Sequence, residues 1–262
     1  MEKRINTILS KMVEQKQIPQ FAYKLRTINR YLFDILVNSE MWFAKPDSFN
    51  DPFDCAINLD MSGSSQEEIN VYYDKFLKSK LNEKERLILN PKMITKEKFE
   101  ELLNKSAKNV IINKGIGCFL DNKEELLMWA HYADSHRGIA LKFDVLKDDD
   151  FFYPSRRVVY TQEYPKYNYL KGKNEVAEKL IFTKSKEWKY EGEIRIIKPK
   201  SGQYKFNPES LVEITFGCKT SKEDEKTILE IARLKYPHIK IFNAIQNQRN
   251  FKLDFKENIN WL

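Results

Sequence analysis

The chain has 262 residues, of which 42% are hydrophobic and 13% aromatic, enough to bury a large core. Its 45 basic and 38 acidic residues leave a net charge of +7, a dispersed surplus that favours an anionic ligand without establishing nucleic-acid binding. With only 8 glycines and 9 prolines, the composition excludes low-complexity linkers and predicts one continuous domain over residues 1–262.

The cysteines and the apolar segments indicate the compartment. Cys55, Cys118 and Cys218 are an odd number without a C-x-x-C pair, which favours reduced thiols over disulfides or zinc ligands. No apolar run approaches the roughly 20 residues that span a bilayer, and the charged start leads into an amphipathic segment rather than a signal peptide. We therefore expect a cytoplasmic protein without a membrane partner, while the sequence leaves its oligomeric state open.

The first fifty residues predict helices alternating with strands. A helix over residues 5–15 precedes a strand over 21–26, and a helix over 28–38 precedes an apolar strand over 41–44. The Asp, Asn and Pro residues of 46–52 are typical of a turn.

The next hundred residues predict an inserted helical layer and then a return to the core. Residues 66–113 are rich in Lys and Glu at helical spacing, with an interruption at 90–91, and we expect no chemistry there. A strand over 115–120 leads into a short helix, for which residues 121–122 offer the cap and 124–125 the second half of a capping box. Spacing makes Trp129 a core residue of that helix.

The rest of the chain predicts mostly strands. Gly138 can stop the short helix. Strands are predicted over 139–143, 156–160, 191–198, 211–216, 239–242 and 251–255, with one helix over 221–234. The whole pattern predicts an α+β fold, a single domain with a curved mixed or antiparallel sheet, flanking helices and the inserted helical layer.

The segment WKYEGEIRII at residues 188–197 is the most informative. Read as a strand, it places Glu191, Glu193 and Arg195 on one face, because successive side chains alternate. A solvated sheet edge would account for such a row, since charges there discourage pairing with other chains. The floor of a ligand cleft is the functional alternative.

Three motifs carry a resemblance to a known family. They are FNDPFD at residues 49–54, MWAHYADSHRGI at 128–139 and KEWKYEGEIR at 186–195. With their surroundings, from about residue 21 to 255, they resemble the bacterial domain-of-unknown-function family 2971. The resemblance implies a bacterial protein of unassigned activity, and for related genes it implies a role in phage defence or abortive infection.

The order of the strands is also similar to that of ADP-ribosyltransferases. The resemblance implies that Arg26 in the first strand binds a phosphate of NAD, that Glu193 is catalytic and that Glu191 orients the acceptor. The chemistry fits, because a guanidinium matches a pyrophosphate and a carboxylate stabilises the positive charge that develops on the ribose. Leu120 stands where that superfamily commonly has a serine after the aromatic residue of the middle strand.

On this resemblance the candidate site has two sets of residues. The catalytic candidates are Glu193 and Glu191. The candidates for binding NAD are Arg26, Tyr23, His131, Tyr132 and Arg195. The acceptor, a nucleic acid or a protein, is left open.

Other functions remain open from the residues alone. His131 and His136 are five apart, which does not bring two imidazoles to one helix face, and we expect no metal there. Asp51 and Asp54, together with the two glutamates, could assemble a divalent-metal site of a nuclease-like defence effector, although a turn accounts for both aspartates.

Aromatic residues flank the charged row and favour a further alternative. Trp188 and Tyr190 could stack on a base. The chain would then be a module that binds a nucleotide or a protein without turnover.

Overall fold

The computed structural model describes residues 2–56, 63–164, 170, 176–259 and 261. The chain divides into two compact units, and each is described by itself. The first comprises Met1–Ala44, Gly115–Val158 and Trp188–Leu262, and the second comprises Lys45–Lys114 and Val159–Glu187. The single domain over residues 1–262 stays a prediction.

Helices and strands occur in both units. The helices are α1 (Glu2–Glu14), α2 (Arg30–Asn38), α3 (Gln66–Tyr72), α4 (Glu83–Ile88), α5 (Lys96–Ile111), α6 (Leu126–Tyr132), α7 (Asp149–Phe152), α8 (Val176–Phe182) and α9 (Lys222–Lys235). The strands are β1 (Phe21–Arg26), β2 (Glu40–Phe43), β3 (Gly115–Leu120), β4 (Ile139–Asp144), β5 (Ser155–Arg157), β6 (Val159–Thr161), β7 (Thr183–Ser185), β8 (Glu193–Lys198), β9 (Gly202–Lys205), β10 (Leu211–Phe216), β11 (Lys240–Gln246) and β12 (Leu253–Glu257).

The first unit is built on an open sheet of eight strands in the order β12-β11-β10-β4-β1-β3-β8-β5. The neighbouring strands of this sheet are antiparallel apart from β10 and β11, which are parallel and are joined by α9. A parallel pair needs such a crossover, because its second strand must start at the same end as the first. The predicted α+β class with a mixed sheet and flanking helices is confirmed.

Both faces of this sheet are covered. One face contributes Ala22, Phe119 and Ile194 to a large apolar cluster that also holds residues of α1 and α2. The opposite face contributes Leu25 and Leu120 to a second cluster with α6. Strands buried on both faces have little solvated side, so a charge in such a strand is forced into the interior.

The short helix α6 begins differently from the prediction. Its N-terminal cap is Glu125, whose side chain makes no capping bond, and the helix starts at Leu126. The predicted cap Asn122 instead accepts a hydrogen bond from the amide of Glu124 at 2.9 Å. The Asn122 side chain therefore closes a local turn of its own backbone and does not cap the helix.

The end of α6 also differs from the prediction, in which Gly138 stops the helix. The helix ends at Tyr132, and Asp134, Ser135 and His136 then adopt the left-handed conformation with φ of 47°, 53° and 71°. Gly138 lies beyond this reversal, where a Cβ atom would overlap the carbonyl oxygen of Arg26. Gly138 is therefore required for the close approach of two backbones.

Two predicted strands are corrected by the structure. The segment 156–160 is not one strand, since β5 pairs with β8 whereas β6 pairs with β7. The strand predicted over 191–198 begins only at Glu193, because residues Lys186–Glu191 form a 3₁₀ helix. Gly192 connects the two with a φ of 54°.

The second unit contains the predicted helical insertion. α3, α4 and α5 lie within residues 66–113, and the interruption at 90–91 falls between α4 and α5. α3 begins with a capping box formed by Ser65 and Glu68, and Thr95 caps α5. In the described part of the chain, no helix has both the length and the apolar character needed to cross a membrane.

Candidate functional site

Glu193 and Arg195 form a buried ion pair on β8. The strand lies between β3 and β5, and the two side chains are 2% and 0% exposed. Arg195 donates from Nε to Oε1 at 2.8 Å and from Nη2 to Oε2 at 3.0 Å. The interpretation of this row as a solvated sheet edge is therefore wrong, because β8 has a neighbour on each side and the charges lie in the interior.

Glu191 reaches the same region from the 3₁₀ helix rather than from a strand. Its side chain is buried, and the hydroxyl of Tyr132 on α6 donates to Oε1 at 3.0 Å. Tyr190 and Tyr132 both pack against the apolar cluster around Trp129. The second glutamate is thus placed by helical rather than strand geometry.

Two cations lie on β1 without a carboxylate partner among the described residues. Lys24 donates from Nζ to the carbonyl oxygen of Cys118 on β3, and Arg26 has a buried Nε with no hydrogen-bond partner. Burial, together with the nearby positive charge of Arg26, lowers the pKa of Lys24 to about 7. Burial also lowers the pKa of Arg26.

Cys118 is the common neighbour of the β1 cations and the β8 ion pair. Burial raises the pKa of its thiol, the carboxylate of Glu193 raises it too, and the positive charges of Arg195 and Lys24 oppose this shift. Glu193 likewise raises the pKa of Lys24. The charges of Lys24, Glu193 and Arg195 thus act on the Cys118 thiol from both sides of the sheet, because Lys24 stands on the face of Ala22 whereas Glu193 and Arg195 stand on the face of Leu120.

Tyr23 belongs to a neighbouring polar network. It stands opposite Lys142 in the β1–β4 ladder, and burial raises its pKa while Lys142 lowers it. Lys142 bonds to Glu213 at 3.5 Å, and Glu213 also forms an ion pair with Lys123. Tyr23 therefore belongs with the paired charges of Lys142 and Glu213. It does not lie with Arg26, which is on the other face of β1.

The structure brings together some of the predicted residues and separates others. Glu193 lies with Arg195, and Glu191 lies with Tyr132. His131 is exposed, with its ring edge-on to Tyr132 at 6.4 Å between centroids. Arg26 lies on the same face of β1 as Lys24, and its positive charge lowers the pKa of that lysine.

Sequence reasoning missed Lys24, Cys118 and the network around Glu213. A usable signal was present, since β1, β4 and β10 each carry one or two charges in an otherwise apolar strand, as in IALKF and LVEITF. A charge in a strand covered on both faces has to find a partner or a ligand. Lys24 and Arg26 are the cations of this group that have no carboxylate bonded in the described structure.

The unusual pKa of Lys24 predicts how stability depends on pH. The unfolded chain binds a proton on this lysine up to its ordinary pKa of 10.5, whereas the folded protein releases it at about 7. Between these values the unfolded state binds more protons, so this lysine makes the free energy of unfolding rise with pH.

We expect Lys24→Met to remove that part of the rise. The measurement is urea denaturation of both proteins at about pH 7 and about pH 10, and the change with pH is compared between them. The comparison matters because Lys123 and Lys198 also have lowered pKa values. An equal rise in both proteins would contradict the assignment of a titrating Lys24.

The residues considered for a metal site lie in different surroundings. Asp51 accepts a hydrogen bond from the amide of Phe53 at 2.9 Å, which is the predicted turn, and Asp54 is 3.9 Å from Lys184. Both aspartates belong to the second unit, and Glu191 and Glu193 belong to the first. Within the residues that the structure describes, no three His, Cys, Asp or Glu side chains come together as metal ligands would.

Fold and site together define an α+β protein with a buried ion pair on β8 and, on β1, two cations that bond to no carboxylate among the described residues, a candidate site for an anionic ligand. Residues 128–196 match the family model described as "Protein of unknown function (DUF2971)". The match runs from α6 to β8 and so includes Tyr132, Glu191, Glu193 and Arg195. It supports the resemblance to that family for these residues.

Two further comparisons give no match. A search of the curated proteins and a search of the solved structures each found none. The similarity to ADP-ribosyltransferases therefore stays a hypothesis that depends on the residues of the site.

Proposed function

We propose that this protein binds NAD and transfers its ADP-ribose group to an acceptor. The observation that carries the proposal is the pair of cations on β1. Among the residues that the structure describes, the buried Nε of Arg26 has no hydrogen-bond partner, and Lys24 beside it bonds to an uncharged carbonyl group. Buried donors and charges in this condition favour an anion, and a pyrophosphate supplies two negative charges with oxygens suited to a guanidinium.

The carboxylates support the second half of the proposal. The charge of Glu193 acts on Lys24, and in this proposal the ribose reaches from the pyrophosphate on the β1 cations to that carboxylate. In the reaction the bond from C1′ of the ribose to nicotinamide breaks, and nicotinamide leaves as a neutral molecule with the bonding electrons. C1′ then bonds to an acceptor oxygen or nitrogen, which loses a proton. A buried carboxylate stabilises the positive charge that develops between these steps.

The roles of the individual residues follow from their bonds. Arg195 holds Glu193 in place and favours its ionised form, because a bidentate ion pair stabilises the carboxylate. Glu191, held by Tyr132, orients the acceptor. The acceptor is a protein or a nucleic acid, and the resemblance to a bacterial family extends the proposal to phage defence in the cytoplasm.

One observation favours a second function, a module that binds a nucleotide without turnover. Both oxygens of Glu193 are bonded to Arg195, which partly neutralises the charge that the chemistry needs. On this alternative the β1 cations still bind the pyrophosphate, and the ion pair only supports the structure.

Isothermal titration with NAD, ADP-ribose and adenosine tests both functions, together with an assay of nicotinamide release. We expect Arg26→Met to weaken binding of NAD and ADP-ribose by at least about tenfold, because a charged hydrogen bond contributes about 1.5–3 kcal/mol. Glu193→Gln should bind NAD but release no nicotinamide. Arg30→Met is the matched control, since Arg30 is exposed on α2.

The outcomes separate the two functions. Binding with nicotinamide release supports the transferase, and binding without release supports the module. No binding of NAD or ADP-ribose, or equal affinity in the wild type and Arg26→Met, contradicts both.

A further inference from the structure

The joint between the two glutamates is a single glycine with a special backbone. Gly192 follows the 3₁₀ helix that ends at Glu191 and precedes β8, which starts at Glu193. Its φ of 54° is in the left-handed region. The conformation of this one residue therefore sets the direction of Glu191 relative to Glu193.

Asp121 packs directly on this joint. A Cβ atom at Gly192 would overlap the Asp121 carboxyl group, which supplies its three nearest atoms. The amide of Asp121 also donates to the carbonyl oxygen of Gly192 at 3.1 Å. Asp121 therefore holds the joint through both its side chain and its backbone.

The carboxylate of Asp121 is itself fixed from two sides. Arg157 on β5 donates from Nη1 to Oδ2 at 2.8 Å, and the side-chain amide of Asn122 donates to Oδ1 at 2.8 Å. β5 pairs with β8, so Arg157 stands opposite Ile194 in the ladder. Gly192 is thus enclosed by residues of the loop after β3 and of β5.

We propose that Asp121 is a positioning residue, which fixes the relative directions of Glu191 and Glu193 by holding the left-handed joint at Gly192. This inference rests on the proposed function for its effect on turnover, although its geometric part does not. Asp121 touches neither glutamate side chain in the bonds described, so it acts through the backbone. A misplacement of about 1 Å at a reacting centre can lower a rate about 100-fold.

The test is Gly192→Ala, in which the new Cβ displaces Asp121 from the joint. Gly202→Ala is the matched control, because Gly202 also has a positive φ, of 152°, but has open space where a Cβ would stand. We expect Gly192→Ala to lower kcat for nicotinamide release about 100-fold while KM for NAD changes less than about threefold. Gly202→Ala should keep both values near those of the wild type.

A second variant separates positioning from a general loss of structure. Asp121→Ala removes the three atoms that the new Cβ would meet, so the double variant should recover about tenfold of the kcat lost in Gly192→Ala. Equal kcat values in Gly192→Ala and in the double variant would contradict the role of Asp121.

A crystal structure of Gly192→Ala keeps this inference testable if the wild type does not cleave NAD. We expect the bond between Tyr132 and Glu191 to lengthen beyond about 4 Å while the pair of Glu193 and Arg195 remains. An unchanged bond would overturn the inference. A wild type without NAD binding, by contrast, contradicts only the proposed function.

Discussion

Replacement of Arg195 by methionine should lower the free energy of unfolding by about 3–5 kcal/mol. Arg195 is fully buried, and its guanidinium satisfies both carboxylate oxygens of Glu193. The apolar methionine fills much of the same volume, so the loss comes chiefly from a buried carboxylate that no longer has the two hydrogen bonds of Arg195. Urea denaturation at neutral pH, where this carboxylate is ionised in the unfolded chain, measures the change.

Two further variants identify the cause. The double variant Glu193→Gln with Arg195→Met should be more stable than Arg195→Met alone, because it removes the buried charge that Arg195 no longer compensates. Arg157→Met is the matched control, since its ion pair with Asp121 is 40% and 28% exposed and should contribute about 1 kcal/mol or less. A loss in the double variant as large as in Arg195→Met would show that packing, rather than charge, accounts for the effect.

Replacement of Trp129 by alanine should also lower the free energy of unfolding by about 3–5 kcal/mol. The indole is fully buried in the cluster on the α6 side of the sheet, with Leu25 and Ala140 among its members. Its Nε1 donates to the carbonyl oxygen of Lys123 at 2.6 Å. The variant therefore leaves both a cavity and an unsatisfied carbonyl group.

The indole also stacks on His136, with ring planes 7° apart and centroids 6.4 Å apart. Trp42→Ala is the matched control, because Trp42 on β2 is 55% exposed and should contribute much less. Similar losses from the two tryptophans in urea denaturation would contradict the placement of Trp129 in the core.

The strands were predictable where apolar residues are continuous or alternate. β1 and β3 have the predicted bounds, 21–26 and 115–120, and β10 has the predicted 211–216. The strand predicted over 191–198 was placed two residues too early, because β8 begins only at Glu193. The charged and aromatic residues of 188–191 suit a strand or a helix. The left-handed joint at Gly192 becomes apparent only from the packing of Asp121 against it.

The site was predictable in its residue types but not in its depth. Alternation correctly placed Glu193 and Arg195 on one face, yet it gives no information on what covers that face. The strand β3 that pairs with β8 and the helix α6 that packs on the same face of the sheet are both distant in sequence. Lys24 and Cys118 were missed for the same reason, since their importance depends on strands that are about ninety residues apart.

The reversal at Asp134–His136 limits which residues that part of the surface can carry. The four amides from Ser135 to Gly138 bond back to carbonyl groups of Trp129, Ala130 and residues 133–134. Glycine, asparagine and aspartate tolerate the left-handed conformation, whereas valine, isoleucine and threonine do not. Although Asp134 and Ser135 are exposed to solvent, the backbone conformation therefore disfavours β-branched residues at both positions.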